Sequence, residues 1–256
     1  MLTPHAPELA VVADVDAVYR AAADLFLRAA LDAVDARGTF VVALAGGSTP
    51  RGLYALLATD DDFRTLVPWN QGEFFWGDER HVPPDHPDSN YRMALEAMLS
   101  RVPVNPDRVH RVRAEHADAA FAASLYEAEV QRIVAAEAAI PRFDLILLGL
   151  GGDGHTASLF PGTDALSERI RLVVATRVAK LDTQRITMTF PLLNAARLVI
   201  LVAAGAEKAN AVRDVLQPGP GAPELPAGQV RPADGRLVWV IDRAAAGLLG
   251  DTGDRR

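Results

Sequence analysis

Two patterns of apolar residues alternate along this chain. Short, continuous apolar runs are followed by longer stretches in which apolar residues recur every three or four positions. The runs are typical of strands buried on both faces, and the longer stretches have the period of amphipathic helices. Strands and helices in alternation predict an α/β fold. We therefore expect an open, mostly parallel, Rossmann-like sheet flanked by helices.

The same pattern gives the bounds of the individual elements. Strands are predicted at residues 39–47, 72–79, 107–112, 143–150, 171–178, 184–190, 197–205 and 236–242. Helices are predicted at residues 14–37, 49–57, 89–99, 116–139 and 206–216.

Nothing in the composition divides the chain into separate domains. It has no internal repeat, and the clear low-complexity stretch is PGPGAPELPAG at residues 218–228. Prolines and glycines support neither a strand ladder nor a helix, so we interpret this stretch as a surface loop. We predict a single domain over residues 1–256, with residues 250–256 as a flexible tail.

The overall composition narrows the classes of function. Half of the 256 residues are hydrophobic, which is enough for a substantial core, and the formal net charge is −7. Nucleic-acid binding needs a basic surface that this chain does not supply, so an anionic ligand must be met by local cations. The absence of cysteine excludes disulfides, thiolate catalysis and cysteine-based zinc sites.

Targeting signals and lysine content add two further expectations. The opening stretch MLTPHAPELAVVADVD lacks a basic region followed by an apolar run, and no segment approaches the length of a membrane span. We therefore expect a cytoplasmic protein with no membrane partner. Among 26 basic residues only Lys180 and Lys208 are lysines, which makes both mildly informative about function.

The first candidate segment is ALAGGSTPRG, which follows a predicted strand. In open α/β sheets, ligands bind beyond the carboxyl ends of the strands. Gly46 and Gly47 allow a tight turn, Thr49 suits a helix N-cap and Pro50 suits the first helical position. With the hydroxyls of Ser48 and Thr49, this helix start is a good phosphate seat. The alternative is a well-capped turn without a ligand.

The second segment, WGDERHVPPDHPDSN, follows the predicted strand that ends in EFFW. Asp78, Glu79 and Arg80 place three charges directly after a buried run. Arg80 could clamp an anion or polarise a carbonyl. The alternative is a structural ion pair, with Asp88 or Ser89 capping the next helix.

The third segment, FDLILLGLGGDGHTASLFPG, holds the main catalytic candidate. Gly149, Gly151 and Gly154 match the dinucleotide pattern G-x-G-x-x-G. Asp153 would place negative charge beside the phosphates of a dinucleotide, and no suitable acidic residue lies about 20 positions further on. The remaining interpretation is a loop that presents His155 as a general base, oriented by a carboxylate. A helix-capping histidine is the alternative.

Two cations near later strands complete the candidate set. Lys208 follows the predicted strand RLVILVAAG at a helix start, where its charge opposes the helix dipole. A lysine in that position indicates a nearby anion. Arg185 in QRITMTF either contributes to the same site or lies on the surface.

Together these segments resemble the 6-phosphogluconolactonase family. AGGSTP, GDERHVPPDHPDSNY and FDLILLGLGGDGHTASLFPG are similar to its signature regions, and GAEKA, WVID and AAA are similar to its carboxyl-terminal pattern. The resemblance covers roughly residues 14–249 and implies a sugar-phosphate isomerase/deaminase-like fold. It also implies hydrolysis of 6-phospho-D-glucono-1,5-lactone in the oxidative pentose phosphate pathway, by a monomer with no cofactor or metal.

The resemblance also implies residue roles. His155 would activate water with Asp153 close by, and Arg80 would hold the substrate or stabilise the oxyanion. The phosphate would lie against Gly47, Ser48 and Thr49. The full substrate-binding set implied by the resemblance is Gly46, Gly47, Ser48, Thr49, Asp78, Gly152, Arg185 and Lys208.

Departures from the family pattern keep alternatives open. The run from Lys180 to Arg185 lacks the prolines that members of the family often carry, and Phe160 stands where glucosamine-6-phosphate deaminases use a glutamate. A deaminase-like isomerase and a non-catalytic sugar-phosphate sensor are the main alternatives. A serine hydrolase would need G-x-S-x-G, which Ser158 does not provide. A metallohydrolase would need a motif such as H-E-x-x-H, although Asp153, His155 and His81 could bind a metal adventitiously.

Overall fold

The computed structural model describes residues 6–134 and 139–250 of the protein. Within them, one sheet is formed by parallel strands in the order β1-β9-β8-β5-β2-β3. A second, antiparallel sheet has the order β4-β7-β6. The strands are β1 (Glu8–Val12), β2 (Phe40–Leu44), β3 (Gly72–Trp76), β4 (Asp78–Arg80), β5 (Leu145–Gly149), β6 (Val173–Val178), β7 (Thr183–Met188), β8 (Leu198–Ala203) and β9 (Arg236–Asp242).

Helices connect most of these strands. They are α1 (Val15–Arg37), α2 (Ser48–Thr59), α3 (Asp61–Leu66), α4 (Asn90–Ala94), α5 (Ala119–Ile133), α6 (Phe190–Leu193) and α7 (Ala209–Leu216). None of the helices in the described ranges has the length and apolar character needed to cross a membrane.

Apolar residues fill both faces of the parallel sheet. In β5, Leu145 and Leu147 belong to one core cluster, whereas Ile146 and Leu148 belong to the other. Successive strand residues point to opposite faces, so a continuous apolar run packs against layers on both sides. Helices α1 and α2 cover the first face, while α5, α7 and the antiparallel sheet cover the second. The prediction of an open, mostly parallel sheet flanked by helices is confirmed.

The predicted strand at residues 72–79 is two strands in different sheets. The chain crosses from one sheet to the other at Gly77, whose N–H donates to Leu44 at 2.9 Å and whose carbonyl accepts from Met188 at 2.9 Å. The predicted strands at residues 171–178 and 184–190 are paired antiparallel in the second sheet as β6 and β7. The charged run that starts at Asp78 therefore begins a new strand beside the parallel sheet.

Other boundaries also differ from the prediction. Residues 107–112 do not form a strand. Residues 107 and 108 belong to the 3₁₀ turn Pro106–Arg108, and Val109 makes only an isolated bridge to Phe74. The helix predicted at 116–139 is α5, which Asp118 caps through the Ala120 N–H, and its predicted residues 135–138 lie outside the described residues. Residues 206–208 form a 3₁₀ turn before α7. Most of the predicted tail, residues 251–256, also lies outside the described residues.

Candidate active site

The candidate site lies at the carboxyl ends of β2, β5 and β8, which are neighbours in the parallel sheet. The connections from β2 and β5 run in opposite directions across the sheet, so this is the switch point at which open α/β sheets bind ligands. A cavity of about 220 Å³ opens here. Its lining includes the predicted residues Gly46, Gly47, Ser48, Thr49, Asp78, Arg80, His155 and Lys208.

A second cleft, of about 430 Å³, adjoins this cavity. Asp78, Arg80 and His155 line both spaces. The remaining predicted residues, Gly152, Asp153 and Arg185, line the second cleft. The structure thus brings every residue predicted for the site to one edge of the sheet, divided between two connected spaces.

The loop after β2 presents backbone groups to the cavity. Gly47 has φ +102 and precedes the first helical residue, Ser48, so the predicted N-cap at Thr49 is wrong. No side-chain oxygen caps α2, which leaves first-turn N–H groups for a ligand. A Cβ on Gly46 would lie 2.0 Å from Oδ1 of Asn90, so the loop packs closely against that side chain.

The loop after β5 is shaped around an imidazole ring. Nδ1 of His155 lies 2.5 Å from Oδ1 of Asp153. The Gly151 N–H donates to the His155 carbonyl at 2.8 Å, and a Cβ on Gly151 would lie 2.0 Å from Nδ1. Gly154 has φ +76, a conformation that side-chain-bearing residues adopt at a cost. Gly151 therefore makes room for the imidazole, whereas Gly154 permits the turn and packs against Leu225.

The environment of His155 favours the neutral ring. Burial lowers the pKa of His155 to about 4; the carboxylate of Asp78 opposes this shift, whereas Lys208, Arg185 and Arg80 add to it. At neutral pH the bond to Asp153 assigns the proton to Nδ1, because a carboxylate accepts hydrogen bonds. Nε2 is then the nitrogen with a free lone pair, as a general base requires.

Phe160 covers one face of this imidazole. The two ring centroids are 3.9 Å apart and the ring planes differ by 26°. Phe160 is itself 5% exposed, so the stack shields the histidine from solvent on that side. An apolar ring at this position contributes to the burial that keeps His155 neutral.

Asp78 and its neighbour Glu79 have different surroundings. The Asp78 carboxylate accepts a hydrogen bond from Ser158 Oγ at 2.6 Å and lines both clefts. Glu79 accepts from the N–H groups of Asn90 at 2.7 Å and Tyr91 at 2.8 Å, at the start of α4. Burial raises the pKa of Glu79. Glu79 is therefore structural, whereas Asp78 faces the site.

Arg80 and Arg185 are directly opposite each other on the antiparallel pair β4 and β7. Arg80 donates from Nη1 to the Asp88 carbonyl at 2.5 Å. Across residues 6–134 and 139–250, neither guanidinium forms an ion pair with a carboxylate. Like charges opposite each other on a strand pair are destabilising, and burial followed by Arg80 lowers the pKa of Arg185. This pair is suited to an anionic ligand or to developing negative charge.

Lys208 joins two of the strand-exit loops. Its Nζ donates to the Leu150 carbonyl at 2.9 Å, across from the β8 loop to the β5 loop. A lysine has three donors, so the ammonium can still contact a ligand in the cavity that it lines. The sequence predicts that Lys208 binds an anion. The structure shows that it also binds a backbone carbonyl.

The sequence analysis assigned no role in the site to three of its side chains. Asn90 donates from Nδ2 to the Asp78 carbonyl at 2.9 Å, and Ser158 binds the Asp78 carboxylate. Lys180 contacts Oδ2 of Asp153. The rarity of lysine was the available signal for Lys180. His81, which the sequence offers as an adventitious metal ligand, instead places Nε2 2.7 Å from the His116 carbonyl. Within the described ranges no group of three or more metal-ligating side chains is assembled.

The sequence of this chain is similar to those of known proteins. A sequence model described as glucosamine-6-phosphate isomerases/6-phosphogluconolactonase matches residues 13–239. The chain belongs to this family. A 6-phosphogluconolactonase from Synechocystis is 44% identical over 215 residues, which cover 83% of this chain and 86% of that protein. One from Nostoc is 40% identical over 240 residues, which cover 93% of this chain and 97% of the relative.

The fold is also similar to that of a solved 6-phosphogluconolactonase. The 6-phosphogluconolactonase from Trypanosoma brucei superposes with a TM-score of 0.84 at 30% identity. The match covers 96% of this chain and 99% of the trypanosomal one. The similarity therefore extends over nearly the whole chain of both proteins.

Proposed function

We propose that this protein hydrolyses 6-phospho-D-glucono-1,5-lactone to 6-phospho-D-gluconate, in the oxidative pentose phosphate pathway. The observation that carries the proposal is the bond between His155 Nδ1 and Asp153, in a cleft that is also lined by the Arg80 guanidinium, which forms no ion pair with a carboxylate among the described residues. The names of the relatives in the family, which match nearly the full chain, point to the same reaction.

The proposed reaction begins with water. Nε2 of His155 takes one proton as the water oxygen attacks the C1 carbonyl carbon, and the imidazolium is stabilised by Asp153. The carbonyl oxygen becomes an oxyanion, and Arg80 stabilises its charge. The bond from C1 to the ring oxygen then breaks, and the ring oxygen receives the proton from His155. The product is an open-chain acid, which ionises, and the imidazole returns to its neutral form.

The phosphate is assigned to the other end of the site. Gly47, Ser48 and Thr49 supply N–H groups and hydroxyls at the start of α2, and Lys208 lines the same cavity. Arg185 lines the adjoining cleft opposite Arg80, so its countercharge would act across the boundary between the two spaces. This separation holds the substrate by its anionic tail while the carbonyl lies near His155.

Phe160 favours lactone hydrolysis over ring-opening isomerisation. A deaminase must move protons between adjacent carbons, and its family pattern has a glutamate at this position. Here the position holds a phenyl ring stacked on His155. Hydrolysis of a lactone needs a single activated water, so the loss of that carboxylate is compatible with it. A non-catalytic sensor would have no use for the hydrogen-bonded His155 and Asp153.

The test is the disappearance of the lactone, followed by NMR or by coupling to 6-phosphogluconate dehydrogenase. The spontaneous opening of the lactone is subtracted as background. We expect His155→Ala to lower kcat by about 10²- to 10⁴-fold, as the loss of a general base does. Circular dichroism checks that the variant is folded.

His116→Ala is a matched control, because that ring packs edge-on against Phe121 and lines neither site cleft. It should retain wild-type turnover. A wild-type protein that gives no rate above background would refute the proposed function. Full turnover by His155→Ala would instead refute the assigned base.

We further propose that the protein acts in the cytoplasm and as a monomer. One chain provides all the residues that line the two clefts, so a single copy is sufficient for the site. Light scattering during gel filtration should give a mass near the 27.4 kDa of one chain. A dimer mass at micromolar concentration would contradict the monomer.

A further inference from the structure

Lys180 lies on the turn between β6 and β7, in the 3₁₀ segment Ala179–Leu181. The turn reaches over the second cleft, which Lys180 lines. Its ammonium contacts Oδ2 of Asp153. The other oxygen of the same carboxylate, Oδ1, is bonded to Nδ1 of His155. The two oxygens of Asp153 thus have different partners, and one of these is the proposed base.

Phe160 closes the arrangement. The Lys180 Nζ lies 4.8 Å from the centroid of the Phe160 ring, and the imidazole of His155 stacks on that ring. The negative face of an aromatic ring attracts a cation and, in an offset stack, accommodates a second ring. Each of four side chains beside the cleft therefore contacts two of the others, in the order Lys180, Asp153, His155, Phe160 and back to Lys180.

A contribution to stability does not explain this lysine well. The Lys180 side chain is 52% exposed and that of Asp153 is 31% exposed. Ion pairs with this much solvent access contribute little to folding. Elsewhere the chain uses arginine for nearly all of its cations, whereas here it uses a compact ammonium with donors that need no planar geometry. The contact is better explained by its effect on the orientation of the Asp153 carboxylate.

We infer that Lys180 is a positioning residue: by binding Oδ2 it fixes the Asp153 carboxylate so that Oδ1 faces Nδ1 of His155. This inference rests on the proposed function. Oδ1 also accepts from the His155 N–H, but at 3.3 Å, and the torsion of this short carboxylate is broad, so its plane can turn away from Nδ1 when Oδ2 has no partner. With Oδ2 held, Oδ1 keeps the imidazole in the tautomer that leaves Nε2 free.

Removal of the ammonium has an electrostatic consequence with a definite sign. A nearby positive charge disfavours protonation of an imidazole, so its loss makes His155 easier to protonate. The base works in its neutral form. The acid limb of the kcat profile therefore moves to higher pH in Lys180→Met. The rate at the plateau also falls, because the imidazole is held less firmly.

The kinetic experiment compares three variants with the wild type. Lys180→Met should lower kcat by about 10- to 100-fold, the scale of a small misplacement in a site, with a smaller change in KM. Lys180→Arg keeps the charge and should restore much of the rate and the position of the acid limb. Arg177→Met is the matched control, since it removes a cation from the same hairpin whose partner is Asp182. It should leave kcat and the profile unchanged.

A second measurement works without turnover. Spectra of ¹⁵N-labelled imidazole rings, with His155→Ala to assign the signal, report the tautomer and titration of His155 in the free protein. We expect Nδ1–H in the wild type and a mixture of tautomers, with titration at higher pH, in Lys180→Met.

The outcomes separate the two proposals. A rise in KM alone, with an unmoved acid limb and unchanged ring signals, would make Lys180 a substrate contact and overturn the inference. Equal behaviour of Lys180→Met and Arg177→Met would also overturn it. An inactive wild type whose His155 signals still respond to Lys180→Met would refute the proposed function but retain the positioning role.

Discussion

The two glycine-rich loops of the site use glycine for different purposes. After β2, Gly47 is the N-cap of α2 with a positive φ, and the helix start that faces the cavity has no side-chain cap. After β5, Gly151 leaves room for a side chain, because a Cβ there would overlap the imidazole of His155. In the proposed reaction, one loop presents backbone donors and the other presents the base. Similar glycine-rich patterns can thus support two different tasks of the proposed reaction, the binding of an anion and the activation of water.

Among changes that test the two loops, the largest expected effect comes from Gly151→Ala. The added Cβ would lie 2.0 Å from Nδ1 of His155, so the ring must leave the position in which Nδ1 bonds Asp153. We expect kcat to fall by about 10²-fold or more, because a displacement of this size at a catalytic group has that cost. KM should change little. The measurement is steady-state lactonase kinetics with circular dichroism as the check on folding.

Gly228→Ala is the matched control for this change. Its nearest neighbours would lie 3.6 Å or more from the new Cβ, and it lines neither cleft. It should behave as the wild type. If Gly151→Ala kept the full rate with a normal fold, the close fit between this loop and the imidazole would not matter to catalysis.

Gly46→Ala tests the other loop. Its Cβ would lie 2.0 Å from Oδ1 of Asn90, whose Nδ2 holds the Asp78 carbonyl. The Asn90 side chain must turn away, and the loop after β2 moves with it. We expect about a tenfold rise in KM and a smaller fall in kcat, on the scale of a lost hydrogen bond to a charged group. A fall in kcat alone would mean that both loops serve the base.

Phe160→Glu examines the surroundings of the base. A carboxylate beside His155 would stabilise the imidazolium, whereas burial now lowers the pKa of that ring to about 4. Wild-type activity should therefore hold from neutral pH down to roughly pH 5 and be lost near pH 4. In Phe160→Glu the acid limb should move to higher pH, and the rate at neutral pH should fall by a few-fold.

Phe160→Leu keeps the position apolar and serves as the control, so its acid limb should stay close to that of the wild type. The profiles are measured as kcat against pH after subtraction of spontaneous opening. An unmoved limb in Phe160→Glu would show that the ring next to His155 does not set its protonation. New deaminase activity would show that the missing carboxylate was the main barrier to that reaction.

The parallel sheet could be predicted because its strands are buried on both faces, which leaves continuous apolar runs such as residues 143–150. The edge strand β1 was missed because Leu9 and Val11 are partly exposed and give no such run. The crossing at Gly77 was missed because a strand that changes sheets has the same local pattern as one that does not. A local pattern of apolar residues indicates whether a strand is buried. It does not indicate which distant strand it pairs with.

The position of the site could be predicted because ligands of open α/β sheets bind beyond the carboxyl ends of the strands. The sequence places His155 and Lys208 in the loops that follow two strands, and the parallel sheet brings the ends of those strands together. Residue roles came from the family resemblance. The contact of Lys180 with Asp153 spans 27 positions and depends on a hairpin between antiparallel strands, so no spacing rule predicts it. The N-cap is the clearest local error, because glycine took the position expected of a hydroxyl residue.

Thr49→Ala makes use of that error and has the smallest expected effect. A threonine that capped α2 would be worth about 1 kcal/mol of stability. Gly47 occupies the cap instead and no side chain bonds the first turn, so removal of the Thr49 hydroxyl should change the free energy of unfolding by under about 0.5 kcal/mol. Urea unfolding measures this difference. Because Thr49 lines the cavity, KM should rise a few-fold while kcat stays nearly constant. A stability loss near 1 kcal/mol without a change in KM would return this residue to a capping role and leave the loop after β2 with one fewer ligand contact.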